Sequence, residues 1–316
     1  MLAIIVVLYK SQAAVRTLWT SLESQRFGDW RLYAVDNGFA DEAADFLERR
    51  GDERVRVWRS GRNTGFAGGA NAGLRWAVAE GADRCLLMNP DVQFDAEFLG
   101  GLDEAWTDQE VVAPRVMELS GRDEGKEVVW YAGGSFDRRW VFSTIHCYDA
   151  QAPSRVVEFA SGCCLGLTSG VLRRVGLLDE SLFVYWEDVD LCLRLNEACV
   201  PIEYLRDPCL WHEGGASSGG EKAPAAGWLY HESWGVLLRK RFGSRAALKS
   251  ILRLALKDFE RREWRRGFRN AAAMICGLMV RRRPVLHLQE MKASEVFSAD
   301  LIISQDQVRI HSGVGY

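Results

Sequence analysis

The chain has eight cysteines in 316 residues but no C-x-x-C pair, which argues against a zinc ribbon or a thioredoxin-type redox motif. Several of these cysteines sit in apolar or helical runs, where a free thiol acts as a small hydrophobe. The expected compartment is reducing and cytoplasmic. G-x-G-x-x-G and the Walker lysine are also missing, so neither a dinucleotide fingerprint nor a P-loop is indicated. Charge of one sign does not dominate: 40 Lys and Arg against 43 Asp and Glu give a formal net charge of -3. That balance argues against a dominant nucleic-acid role. No signal peptide is expected, because the apolar opening from Leu2 to Leu8 lacks a basic leader and a small-residue cleavage site. It is also far shorter than the about 20 residues that cross a bilayer. No internal repeat is present.

What is there is an ordinary globular composition, 48% hydrophobic and 26% charged. A chain this long buries a core without disulfides. It holds two average domains or one larger α/β domain with an appendage. The run from Ala3 to Leu8 predicts a strand covered on both faces. Helical spacing follows over Ser11 to Gln25, then a strand over Arg31 to Val35 and a helix over Asp41 to Arg49. A strand at Val55 to Trp58, a helix at Gly68 to Ala79 and a strand at Arg84 to Met88 complete the alternation. Such alternation predicts a mostly parallel, Rossmann-like α/β sheet with helices on both faces. The regularity breaks after about Glu110. Short strands and loops are expected over 115–160, with a turn at Gly133-Gly134. Helices are expected at Ser169 to Val175 and Asp188 to Ala198, a strand at Pro201 to Leu205, and a loop over Gly214 to Gly227.

Ligands of open α/β sheets bind beyond the carboxyl ends of the strands, and three polar clusters fall there in succession. Asp36-Asn37 closes the second strand, where Asp36 can accept hydrogen bonds from a nucleobase or ribose, or simply form a local turn. Asn63 to Asn71 is a glycine-rich turn into a helix, fit either for close approach to a ligand or for close packing on the sheet. Asn89-Pro90-Asp91 closes the fourth strand, where a carboxylate can hold a hard cation such as Mg²⁺ or Mn²⁺ or merely turn the chain. Trp186 to Arg194 sets Glu187, Asp188 and Asp190 at a helix start, behind the aromatic run Phe183 to Trp186. Acids cap helix starts, but three exceed what capping needs. A partly dry aromatic setting makes a carboxylate a better base. His212, in Trp211-His212-Glu213-Gly214-Gly215, can hold a metal or a phosphate oxygen, or serve structure alone.

From Arg239 to Arg283 the chain carries 15 Lys and Arg against three acids, a balance of +12, which leaves -15 for the remainder. Apolar residues recur at helical spacing through Leu248, Leu252, Ala255 and Phe259, then Trp264, Phe268, Ala271, Ile275 and Leu278. A basic amphipathic helix pair can lie on an anionic membrane surface. Equally, its stripe can pack on the main domain or on a second copy, as a homodimer. The tail after Pro284 alternates like a strand. The expected division is residues 1–230 for the main domain and 231–316 for the helical extension and tail.

Taken in order, these segments resemble the family 2 glycosyltransferases of the GT-A fold, in their rhamnosyltransferase-like branch. The resemblance runs through Ile4 to Lys10, Val35-Asp36-Asn37, Asn63 to Asn71, Asn89-Pro90-Asp91, Ser161-Gly162-Cys163-Cys164, Glu187 to Arg194 and His212, covering residues 1 to about 215. It implies a nucleotide site of Tyr9, Asp36, Asn37, Asn63, Gly65, Phe66, Asn71 and Asn89. It implies a metal, Mg²⁺ or Mn²⁺, on Asp91 and His212, with Asn89 standing where the family has a first Asp. Asp188 matches the catalytic base, with Glu187 beside it, and Gly162, Cys163 and Trp186 would face the acceptor. Lys10 departs from the family's usual Asn, and Gly38-Phe39-Ala40 from its usual small polar turn. The implied reaction is displacement with inversion. A nucleoside diphosphate (dTDP or UDP) sugar would donate to a hydroxyl of a glycan or lipid-linked acceptor. The Gly214 to Gly227 segment would close over the donor, and the enzyme would work in the cytoplasm or at the inner membrane face. Two other readings remain open: a sugar nucleotidyltransferase, for which Lys10 and Arg16 supply few basic groups, and a non-catalytic carbohydrate-binding protein that stacks sugars on its twelve tryptophans.

Overall fold

The computed structural model describes residues 1–38, 42–123, 125–138, 142–214, 224–260 and 264–280. In chain order the first half forms β1 (Leu2–Leu8), α1 (Gln12–Glu23), β2 (Trp30–Asp36), α2 (Glu42–Glu48), β3 (Val55–Arg59), α3 (Gly65–Ala79), β4 (Arg84–Met88), β5 (Val92–Gln93) and α4 (Phe98–Ala105). Then come β6 (Val111–Glu118), α5 (Leu119–Asp123), β7 (Val129–Tyr131), β8 (Gly134–Asp137), β9 (Ser143–His146), β10 (Arg155–Val157), β11 (Cys164–Thr168), α6 (Ser169–Val175), α7 (Glu187–Glu197) and β12 (Ile202–His212). Three helices follow, α8 (Pro224–Phe242), α9 (Ser244–Glu260) and α10 (Trp264–Met279).

The main sheet runs β10-β12-β6-β11-β4-β1-β2-β3, with β5 on β12 and β7 on β6. β1 pairs parallel with β2 and β4, and β3 continues parallel beyond β2. β11 enters antiparallel between β4 and β6, and β12 runs parallel to β6. The sheet is therefore a mostly parallel α/β sheet, as the alternation predicts. Every residue of β1 is buried, which requires cover on both faces, because successive side chains point opposite ways. α3 supplies one cover at very short range. A Cβ on Gly69 would meet Val7 Cγ1 at 2.8 Å, and one on Gly73 would meet Ile5 Cγ2 at 2.6 Å. Glycines one helical turn apart thus let the helix sink onto the strand.

Several boundaries differ from the sequence reading. α3 starts at Gly65, not Gly68, so the glycine-rich turn is already helical. β6 is a buried central strand whose pattern Pro114 obscures; it pairs Pro114 with Leu205, the last pair before the register shift. β12 runs on past Leu205 through a register shift before Cys209 and reaches His212. α8 begins at Pro224, inside the stretch expected as loop, since proline is at ease in a first helical turn. The rest of that loop (215–223), Phe39 and Ala40, and the tail from 281 lie outside the described residues.

Candidate active site

The pairing register brings the polar clusters to one edge. Leu8 lies opposite Asp36, and Val6 opposite Met88, so β1, β2 and β4 release their chains side by side. β11 runs the other way and begins at Cys164 opposite Met88. Ser161-Gly162-Cys163 therefore enters at the same edge. β5 pairs Val92 with His212, which brings the end of β12 beside Asp91.

Asp36 is fully buried. Its carboxylate accepts the Gly38 N–H at 3.1 Å and pairs with Arg59 at 3.1 Å. Arg59 also reaches Asp45 and Glu48. Tyr9 is half-buried at the end of β1, and the Lys10 ammonium lies 5.5 Å from its ring centre. The amide of Asn37 is engaged with the next turn. Its Oδ1 accepts from Thr64 N–H and Oγ1, and its Nδ2 donates to the Gly65 carbonyl at 2.8 Å. Asn63, itself exposed, accepts the Gly65 N–H at 2.9 Å. Gly65 has φ +76°, and a Cβ there would stand 2.2 Å from the Phe183 carbonyl oxygen. The next residue, Phe66, donates its N–H to that same carbonyl at 2.7 Å. Asn71 is buried with both ends of its amide on the chain ahead of α7. It donates to Leu178 O and Glu180 and accepts from Leu178 N–H at 2.9 Å. Asn37 and Asn71 thus hold the frame of the site, their amides saturated within the protein.

Asp91 and His212 form the second focus, 7% exposed each. His212 Nε2 lies 3.2 Å from Asp91 Oδ1 and 3.3 Å from Asn89 Nδ2. Its Nδ1 is buried without a hydrogen-bond partner, and its ring meets Trp130 edge to face at 4.9 Å. Burial pushes the imidazole down, while the Cys163 sulfur and the Asp91 carboxylate push it up, so it stands above its ordinary value. Asp91 is the cause that counts, because burial pushes the Cys163 thiol up and keeps it neutral. An oxygen and an imidazole nitrogen suit a divalent ion such as Mn²⁺. No group of three or more His, Cys, Asp and Glu that could hold a metal occurs among the described residues. An ion here would share its shell with phosphates and water.

The third focus is the start of α7. Tyr185 and Trp186 both adopt left-handed backbone, φ +67° and +71°, at a cost of roughly 1–2 kcal/mol each. α8 offsets this cost. The Trp234 ring stacks on Trp186 at 5.5 Å and 3°, Trp186 Nε1 donates to Tyr230 O at 3.1 Å, and Ser233 bonds Val184 O. Trp186 is 4% exposed, its ring covered by α8. The three acids then separate by environment. Asp190 is a structural anion, paired with Arg194 at 2.9 Å and Arg241 at 2.7 Å. Glu187 and Asp188 make no salt bridge among the described residues. Asp188, half-buried, accepts the Gly162 N–H at 2.9 Å and the Val189 N–H at 2.7 Å. Burial raises its carboxyl and these donors lower it, with a net rise. Glu187 is buried, with Oε2 unpartnered. Burial and the neighbouring Asp188 charge hold it well above the usual range.

Ser161-Gly162-Cys163 connects the last two foci: Cys163 O accepts the Asn89 N–H at 2.9 Å, and Gly162 N–H reaches Asp188. Sequence reasoning missed Arg59 and Trp130. Each meets its partner from a distant part of the chain, and no local spacing marks it.

Residues 3–175, more than half of the chain, match the profile of glycosyl transferase family 2. The low-salt glycan biosynthesis hexosyltransferase Agl10 of Haloferax volcanii is 25% identical over 208 residues, 64% of this chain and 63% of that protein. The dTDP-rhamnosyl transferase RfbF of Shigella flexneri is 26% identical over 167 residues, 52% of this chain and 54% of that one. The chain thus spans less than two thirds of either. The N-acetylglucosaminyl-diphospho-decaprenol L-rhamnosyltransferase of Mycobacterium tuberculosis is 27% identical over 256 residues, 71% of this chain and 80% of that one. In fold, the chain resembles the mannosyltransferase PcManGT of Pyrobaculum calidifontis in complex with GDP-Man and Mn²⁺, with TM-score 0.50, 13% identity, and 96% and 81% coverage. It likewise resembles S. aureus TarS 1-349 in complex with UDP-GlcNAc, with TM-score 0.53, 15% identity, and 82% and 72% coverage. With its sheet in the GT-A arrangement and rhamnosyltransferases among its sequence relatives, the chain belongs to glycosyl transferase family 2.

Proposed function

We propose that this protein is an inverting, metal-dependent glycosyltransferase that moves a sugar, rhamnose by preference, from a nucleoside diphosphate to a hydroxyl of a cell-surface glycan or polysaccharide precursor. Family membership supports the transfer. The Shigella and Mycobacterium relatives, named as rhamnosyltransferases, support the sugar, and the diphospho-decaprenol in the latter's name supports a lipid-linked acceptor. The observation that carries the reading is Asp188. It is a carboxylate with no salt bridge among the described residues, aimed by two backbone N–H groups and joined through Gly162-Cys163 to the Asp91–His212 pair.

In this reading Asp36 binds the nucleobase or ribose. Tyr9, Asn63, Gly65, Phe66 and Asn89 line the nucleotide pocket, while Asn37 and Asn71 position them. Asp188 takes the proton from the attacking acceptor hydroxyl, a role typically contributing ~10²–10⁴-fold. Glu187, pushed further up by burial and by the Asp188 charge, holds a proton more readily than Asp188, which favours Asp188 as the anion of the pair. Gly162 and Cys163 face the acceptor, and Trp186 holds the turn that aims the base. A divalent ion on Asp91 and His212 would neutralise charge on the departing diphosphate. The exposed apolar residues of α9 and α10 support a position at an anionic membrane face, where a lipid-linked acceptor would reside. The experiment is turnover of dTDP-rhamnose and UDP-sugars with Mn²⁺ and then with EDTA. Transfer with Mn²⁺ that EDTA abolishes is expected. Full activity in EDTA removes the ion from the mechanism.

A further inference from the structure

A row of aromatic rings leads from the Asp91–His212 pair to the surface. Trp130 on β7 meets His212 at 4.9 Å and 72°, and meets His146 at the end of β9 at 5.9 Å and 89°. His146 in turn lies nearly parallel to Tyr148, with centroids 6.0 Å apart and planes at 23°. Tyr148 is 66% exposed. The row stands on paired backbone: Ala132 N–H donates to Cys147 O at 2.9 Å, and Cys147 N–H to Gly133 O at 2.8 Å. It also lies within electrostatic reach of the base. Burial raises the Asp188 carboxyl and lowers the His146 imidazole, and the charge of each group opposes that shift in the other.

We infer that Trp130, His146 and Tyr148 form the stacking wall of the acceptor subsite, and that its occupant is a pyranose ring of the acceptor glycan. The inference rests on Asp188 acting as base. The acceptor must bring one hydroxyl to Asp188 while the leaving diphosphate lies toward Asp91 and His212. A wall that starts at His212, lies within electrostatic reach of Asp188 and ends in solvent follows that approach. One face of a pyranose is a flat array of C–H groups, which aromatic rings cover while the hydroxyls stay hydrogen-bonded at the rim. The polar inner end, two imidazoles beside two carboxyls, suits a polyhydroxylated ring better than a lipid tail.

The test is binding of octyl β-glycosides (glucoside, galactoside and N-acetylglucosaminide) to the full chain with dTDP or UDP and Mn²⁺ present, titrated by saturation-transfer NMR. Octyl sulfate serves as the tail-only control. Tyr148 is exposed, so Tyr148→Ala leaves the fold standing, and Tyr148→Phe keeps the ring. At least one glycoside binds more tightly than octyl sulfate. Tyr148→Ala weakens it about five- to tenfold, the scale of one lost ring contact. Tyr148→Phe matches the wild type, and nucleotide affinity is unchanged throughout. Glycosides that fail to bind, octyl sulfate bound equally well, or Tyr148→Ala binding like the wild type would overturn the wall. A wild-type chain that binds no nucleotide fails the glycosyltransferase reading itself, a separate result.

Discussion

Glu187 and Asp188 are adjacent carboxyls in unlike settings. Asp188 accepts two backbone N–H groups, whereas one oxygen of Glu187 has no partner. Both are raised by burial, Glu187 further because it faces the Asp188 charge. The native chain therefore keeps a proton on Glu187 at pH values where the unfolded chain has lost it. Stability from this group is fully present below the ordinary carboxylate range and declines as pH rises above it. Glu187→Gln removes that decline. The variant is expected to melt higher than the parent at pH 8, with the gap closing toward pH 4, and to retain transfer at neutral pH within about tenfold. Parallel melting curves across pH would contradict the assignment. The sequence made Asp188 and Glu187 legible as an acidic cluster behind aromatic residues. Asp190's i,i+4 partner Arg194 was readable on the helix, but the second partner that fixes it as structural, Arg241, lies 51 residues away.

Among the elements, α3 does the joining. Its first residue, Gly65, needs positive φ and has no room for a Cβ beside Phe183 O, while Gly69 and Gly73 seat the helix on β1. Gly65→Ala is expected to cost about 1–3 kcal/mol, the scale of a non-glycine residue held in strained backbone. It should lower the urea midpoint and weaken nucleotide affinity together, since the same turn carries Asn63 and rests on the segment leading to Asp188. A variant with unchanged midpoint and affinity would show that the turn tolerates a methyl group. Apolar period and turn residues made β1 to β4 and the intervening helices readable. β6 was hidden by Pro114, and the length of β12 by Asp207-Pro208, since proline removes a ladder donor and breaks the pattern a strand presents. The antiparallel insertion of β11 depends on pairing across the sheet, which one chain's spacing does not encode.

At the scale of the whole molecule, charge and apolar surface divide along the chain. Residues 239–283 carry +12 and the remainder -15. α8 is bound to the sheet domain through Lys240–Asp179 and Arg241–Asp190. α10 crosses α8 so closely that a Cβ on Gly235 would stand 2.3 Å from Met274 O. α9 leaves Leu248, Leu252 and Leu256 exposed at 62%, 61% and 54%, with exposed Arg245, Lys249 and Arg253 alongside. No helix among the described residues is long and apolar enough to cross a membrane. The stripe suits an interfacial position, apolar side in and basic side to the headgroups. Flotation with phosphatidylglycerol vesicles is expected to recover the protein, and neutral vesicles or high salt to release it. Replacing the three leucines by serine should weaken binding at least about tenfold. Equal recovery on neutral vesicles would contradict the electrostatic part, and an unaffected triple variant the apolar part. Sugar transfer by Asp188→Asn, with melting temperature and nucleotide affinity measured on the same sample, decides whether the head of α7 supplies the base. A folded, nucleotide-binding protein whose transfer falls by about 10²–10⁴ is expected; transfer near the wild-type rate in that folded variant would remove Asp188 from the role of base.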